Sequence, residues 1–238
     1  NALLIDLGGT NIRYASFIKN TLSEISKEKI SDKDFISFLT KLLEREKNEI
    51  DCLVIAAAGP NNQSSINLTN RDLLIDASEL KTKLNLKECF FLNDWEAVAQ
   101  SLSEINQESF LPIKNGAPSN ENTILIGPGT GLGVTLIING QIIPTEFGNT
   151  YSPTKGMLEN FDLRDNDKFF SLENILSGPG IEKLYEEKFE RKLSSEEIIS
   201  SALDGDKDGL FIVENFLKTL VSMINDLILS FSCEKVIL

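Results

Sequence analysis

The 238-residue chain contains no histidine. That absence removes Ser-His-Asp and Cys-His mechanisms and every His-ligated metal site, so a general base here is expected to be a carboxylate. Cysteine is scarce as well. Cys52, Cys89 and Cys233 are odd in number, far apart and without a CxxC spacing, which argues against a disulfide scaffold, a zinc site or a redox pair. They read as buried thiols of a reducing compartment, and a cytoplasmic location is expected. No apolar run reaches the roughly 20 residues of a membrane span, and no signal peptide precedes the first apolar segment. Positive charge is in deficit: 23 Lys and Arg against 36 Asp and Glu leave a formal charge of −13. A surface this acidic repels nucleic-acid phosphates and anionic membranes, so neither is expected as a partner. What remains is ordinary for a globular chain, with 41% hydrophobic and 25% charged residues. It suffices for one large domain or two small ones.

Strand and helix patterns alternate, which predicts an α/β fold. Strands are expected at Ala2–Leu7, Arg13–Ile18, Cys52–Ala58, Ser65–Leu68 and Cys89–Leu92, the third and fifth as buried strands. One helical face gathers Phe35, Ile36, Phe38, Leu39, Leu42 and Leu43, with Ser31 or Asp32 as N-cap. Further helices are expected at Ser78–Leu84 and Trp95–Leu102. The stretch from Glu104 to Asn122 reads as a loop between two halves. Beyond it come strands at Thr123–Ile126, Val134–Ile138 and Gln141–Pro144, the last two joined by the hairpin signal Asn139-Gly140. Helices follow at Leu172–Leu176, Ile181–Phe189, Ser195–Leu203 and about Asp208 to Ser230. Lys235–Leu238 reads as the start of a buried strand. Asn1 is not a Met, and a strand is normally followed by a loop and helix, so chain is expected beyond both ends.

Two glycine turns share one layout. DLGGTNIR (Asp6–Arg13) and GPGTGLGV (Gly127–Val134) each place a glycine-rich turn between two strands. Glycine lets backbone N–H groups approach an anion, as in phosphate loops. Two such turns half a chain apart suggest two homologous half-domains facing one ligand. Neither turn leads into a helix, which excludes a dinucleotide fingerprint, and no GK[ST] is present, which excludes a Walker loop. Plain hairpin turns are the bland alternative. Thr10, Asn11 and Thr130 supply hydroxyl and amide donors that such turns would not need.

The blocks LLIDLGGTNIRYA, FLNDWEAVAQSL, GPGTGLGV, TEFGNTYSP and SLENILSGPGIEKLY resemble, in order and spacing, the bacterial ATP-dependent glucokinases of the hexokinase–actin–Hsp70 superfamily. The resemblance covers nearly all of the chain. The Cys-rich zinc motif of the related repressor and sugar-kinase group is missing. The resemblance implies two ribonuclease-H-like α/β domains with a cleft between them, at residues 1–96 and 97–238, the second incomplete. It implies that Asp94 is the catalytic base for the sugar 6-hydroxyl; taken alone, Asp94 would be read as the N-cap of the following helix. Asn93, Glu146, Asn149 and Glu173 would bind sugar hydroxyls, with Asn70 also facing the sugar. Asp6 would hold Mg²⁺ through water. Gly8, Gly9, Thr10, Asn11 and Arg13 of the first turn, with Thr130 and Gly131 of the second, would cradle the phosphates of ATP. Family members are often dimers, so a homodimer is an option.

Two departures qualify the resemblance. Phe147-Gly148-Asn149 stands where the family has Gly-Gly-His, and Phe147 is expected to add bulk beside the sugar. A kinase for another hexose therefore stays open. The family also continues past the Lys235–Leu238 strand with an adenosine-binding loop and helices that return to the first domain. Without them, impaired nucleotide binding and exposed apolar surface on the first domain are expected, and a sugar-binding sensor is the rival from another class.

Overall fold

The computed structural model describes residues 1–8, 11–29, 34–45, 50–59, 64–67, 74–151 and 154–238. The chain divides into two units, Asn1–Ile105 and Asn106–Leu238. The division falls later than the expected residue 96, for a reason visible in the first unit's topology. There β1 (Ala2–Leu7), β2 (Ile12–Ile18), β3 (Thr21–Leu22), β4 (Ser26–Glu28), α1 (Phe35–Arg45), β5 (Cys52–Ala57), β6 (Ser65–Asn67), β7 (Leu74–Asp76), α2 (Ala77–Leu84), β8 (Glu88–Asn93) and α3 (Asp94–Ser101) follow in order. Helix α3 packs on β5 and β8 and so belongs with the strands before it.

The main sheet of this unit runs β3-β2-β1-β5-β8, with β4 also on β2. β1 pairs antiparallel with β2 and parallel with β5, which pairs parallel with β8. All three parallel strands therefore end at one edge, where an open α/β sheet presents its loops to ligands. The period-2 pattern explains the core: Leu3, Ile5, Leu7, Leu53, Ile55, Ala57, Cys89 and Phe91 turn to one face. Helix α1 covers it with Phe35, Phe38, Leu39, Leu42 and Leu43, the i, i+3, i+4, i+7, i+8 stripe of an amphipathic helix. The expected caps Ser31 and Asp32 lie outside the described residues. Helix α2 is capped by Asp76, whose Oδ1 accepts from Glu79 N at 2.9 Å.

The expectation that β5 and β8 are buried on both faces is not met. β5 alternates buried with half-buried residues, and Phe90 in β8 and Phe17 in β2 are 51% and 40% exposed. Across the sheet Leu4, Val54 and Phe90 share one row, so this second face is apolar and partly open. Cys52 lies on it half-buried, while Cys89 and Cys233 are buried; all three thiols are free.

The second unit contains β9 (Thr123–Pro128), β10 (Leu132–Ile138), β11 (Gln141–Thr145), α4 (Thr154–Glu159), α5 (Gly178–Phe189), α6 (Ser195–Leu203), α7 (Lys207–Phe231) and β12 (Lys235–Ile237). Its sheet runs β11-β10-β9-β12, antiparallel except for the parallel β9–β12 pair. That reproduces the β2-β1-β5 arrangement of the first unit, as a duplicated fold requires. Asn139 and Gly140 both have positive φ (50° and 77°), the two-residue turn read from the sequence. The expected helix at Leu172–Leu176 is instead a single 3-10 turn, Leu172–Asn174, and α4 was not foreseen. Helix α7 turns Ile212, Phe216, Leu220, Met223, Ile224 and Leu227 into the core beneath β9 and β10. Its Gly209 permits close approach to α6, since a Cβ there would lie 2.5 Å from Ser201 Oγ and 2.9 Å from Ala202 N.

Candidate functional site

In the first unit the candidate residues gather at the carboxyl edge of the parallel strands. Asp6 is the penultimate residue of β1, and Asn93 ends β8 as Asp94 opens α3. The register runs Asp6–Ala56–Leu92 and Leu7–Ala57–Asn93, which brings Asp6 and Asn93 to neighbouring rows. Asn93, not Asp94, caps α3. Its Oδ1 accepts from Trp95 N (2.9 Å) and Glu96 N (3.3 Å), while Glu96 Oε2 accepts from Asn93 N (3.1 Å) in a capping box. Asn93 rather than Asp94 therefore supplies the cap of α3. Asp94 Oδ1 accepts from Trp95 N at 2.9 Å. Burial pushes its carboxyl above the usual carboxylate range, the Trp95 N–H opposes this, and the negative charge of Asp6 pushes the same way as burial. A half-buried carboxylate that holds its proton more tightly has the character of a general base.

The first glycine turn closes through Gly8 N donating to Asn11 O at 3.0 Å. A Cβ on Gly8 would sit 3.2 Å from that same oxygen. Gly9, Thr10 and Asn70 lie outside the described residues. Arg13 faces Asp6 across the β1–β2 ladder and donates to its Oδ2 at 2.7 Å. Sequence reasoning assigned these two residues to different ligands and missed that they pair with each other. Directly opposed positions on two antiparallel strands were the available signal.

In the second unit, β9 and β10 flank the other glycine turn, closed by Gly129 N donating to Gly131 O at 2.8 Å. Thr130 at its tip is exposed. Three contacts hold the turn in place. Gly178 N, at the start of α5, donates to Gly129 O at 2.8 Å. Gly148 packs so closely on β10 that a Cβ would lie 2.3 Å from Leu132 O. A Cβ on Gly131 would lie 2.8 Å from Glu173 Oε2. The turn thus adjoins the segments that carry Glu146, Asn149 and Glu173. Those segments are tied together by Leu172 N donating to Thr150 O at 3.2 Å.

Asn149 Nδ2 donates to Glu146 Oε2 at 3.0 Å, so the amide orients a carboxylate, a role for which its sequence position gave no hint. Phe147 is partly buried against the core of this unit. Beside this segment lies an open pocket of about 240 Å³ lined by Tyr151, Asp165, Asn166, Asp167, Phe169 and Phe170; it contains none of the candidate side chains. Among the described residues there is no group of three or more Cys, Asp or Glu arranged to hold a metal ion. No helix there is long and apolar enough to cross a membrane.

Comparison with known proteins adds an independent line of evidence. A family model described as Glucokinase matches residues 3–237. The glucokinase of Colwellia psychrerythraea is 30% identical over 226 residues, covering 85% of this chain and 68% of its own length. Among solved structures, a glucokinase from an Antarctic psychrotroph superposes with a TM-score of 0.76 at 24% identity, covering 98% of this chain and 80% of that one. A Balamuthia mandrillaris glucokinase in complex with glucose gives 0.73 at 19% identity, covering 99% and 78%. At these identities the structural matches establish the fold, a two-domain actin-like α/β architecture.

Proposed function

Since the chain belongs to the glucokinase family, we propose that it transfers the γ-phosphoryl group of ATP to the 6-hydroxyl of glucose. The observation that carries this reading is Asp94: a half-buried carboxylate at a strand-to-helix junction whose cap is supplied by Asn93, with its proton affinity raised. In the reaction Asp94 accepts the proton of the 6-hydroxyl as the oxygen attacks the γ-phosphorus. A new O–P bond forms, the bond from phosphorus to the β-bridging oxygen breaks, and ADP leaves with that electron pair.

Glu146, held by Asn149, and Glu173 accept hydrogen bonds from sugar hydroxyls, and Asn93 donates one. Both glycine turns offer backbone N–H groups and, at Thr130, a hydroxyl to the phosphates. Arg13 adds positive charge on that side. Asp6 fits Mg²⁺ bound through water: it is a half-exposed carboxylate with one oxygen engaged by Arg13, and Mg²⁺ commonly takes few protein ligands beside phosphate and water. When bound, that ion neutralises phosphate charge. A cytoplasmic setting suits three free thiols and an ATP-dependent reaction.

The test is a coupled assay of glucose-dependent ADP release, with Asp94→Ala alongside. Glucose 6-phosphate formed by the unaltered chain and lost in the variant supports the reading. Glucose binding without any turnover in the unaltered chain favours the sugar-sensor alternative instead.

A further inference from the structure

We propose that Gly131 is a positioning residue for Glu173, so that the phosphate turn itself sets where the sugar carboxylate lies. The proposal rests on the glucokinase reading and deepens it. Glycine at a phosphate turn is ordinarily explained by a left-handed backbone or by close approach to the anion. The first explanation does not hold here, because Gly131 is outside the positive-φ region occupied by Gly59, Gly140 and Gly205. The space that a side chain would fill is taken by the protein: Glu173 Oε2 lies 2.8 Å and Cδ 3.8 Å from the Cβ position. Real Cβ atoms do not approach an oxygen so closely, so any side chain at 131 must displace the carboxylate.

What is displaced matters more than the clash. Gly148 meets backbone (Leu132 O and C), which cannot yield, whereas Gly131 meets only the far end of a flexible side chain. A substitution at 131 therefore leaves the fold intact and moves one functional group. The turn is itself anchored by the Gly178 N to Gly129 O bond and by Leu132 packed under Gly148, so it does not move aside. Glu173 in turn is on the 3-10 turn Leu172–Asn174, whose Leu172 is fully buried. Two firmly seated backbones thus face each other across one glycine.

The experiment is calorimetric titration of glucose into the unaltered chain, Gly131→Ala, Glu173→Asp and the double variant, with thermal unfolding of each. Expected is a loss of glucose affinity on the order of tenfold in Gly131→Ala, as for disturbing a hydrogen bond to a charged group, with an unfolding midpoint unchanged or raised. In the Glu173→Asp background, where the shorter side chain withdraws from residue 131, the same Gly131→Ala change is expected to cost less than threefold. Equal fold-losses in the two backgrounds, or unaltered affinity in Gly131→Ala, would overturn the proposal while leaving the glucokinase reading in place. A folded, unaltered chain that binds no glucose overturns both.

Discussion

The two glycine turns occupy the same strand–turn–strand frame, each closed by a backbone hydrogen bond of its own, and they differ in what surrounds them. The first closes on itself, Gly8 N to Asn11 O, above an Asp6–Arg13 ion pair and close in register to the Asn93–Asp94 junction. The second is gripped from outside, by Gly178, by Gly148 on Leu132 and by Glu173 against Gly131. The topology around both is alike, two antiparallel strands and one parallel neighbour. What differs is the charge each turn meets. The first has a carboxylate with raised proton affinity beside a second acid, suited to moving a proton. The second has carboxylates and an amide that suit fixed hydroxyls. On the proposed reading, a duplicated scaffold divides the labour, with proton transfer on the first unit and the sugar-binding carboxylates on the second.

The sharpest way to break this comparison is Asp94→Ala. Turnover should fall by roughly 10²–10⁴-fold, the usual contribution of a positioned general base, with glucose affinity little changed. Asp94 also predicts a pH profile. The base works only when ionised, and burial first, then Asp6, raises its proton affinity, so kcat should climb with pH through a value above the usual carboxylate range. The sign for stability is opposite. The folded state holds this proton more tightly than the unfolded one, so that contribution is present at low pH and lost as pH rises through the folded value. Asp94→Asn should therefore leave the unfolding midpoint at neutral pH unchanged or higher while abolishing activity.

Glu173→Ala is the counterpart on the second unit. It should weaken glucose binding by about 1.5–3 kcal/mol, the range for hydrogen bonds to a charged group, measured by titration calorimetry. Next in size is Gly148→Ala, whose Cβ would meet Leu132 O at 2.3 Å. Overpacking against backbone should destabilise by about 1–3 kcal/mol, read from denaturant unfolding. Arg13→Ala should have the smallest effect on stability, under about 1 kcal/mol. Both partners of its ion pair are about half exposed, at 52% and 44%, and exposed pairs contribute little. If the pair serves phosphate chemistry, the same variant should raise the KM for ATP.

Much of this was legible in the residues, and the parts that were not share a cause. The amphipathic stripe of α1, the Asn139-Gly140 turn and the alternation in β1 are local patterns with one physical solution each. Lys19-Asn20 makes an equivalent turn with φ of 51° and 62°, but Lys is not a residue that favours this backbone, so nothing local announced it. Exposed apolar surface on the first unit was expected from the resemblance, but its position around Phe90 was not, because an apolar run reads as buried whatever covers it. At the site, the motif singled out Asp94, and that Asn93 supplies the cap of α3 emerged only once Asn93 was seen to bond Trp95 and Glu96. Gly131 against Glu173, separated by 42 positions, and Gly148 on Leu132 are contacts between distant segments that no spacing rule encodes.

The division of labour is tested most directly by titrating glucose into Asp94→Ala and Glu173→Ala side by side. The account predicts near-unaltered affinity in the first and a loss of roughly 10- to 100-fold in the second. Equal losses in both, or a loss confined to Asp94→Ala, would contradict it.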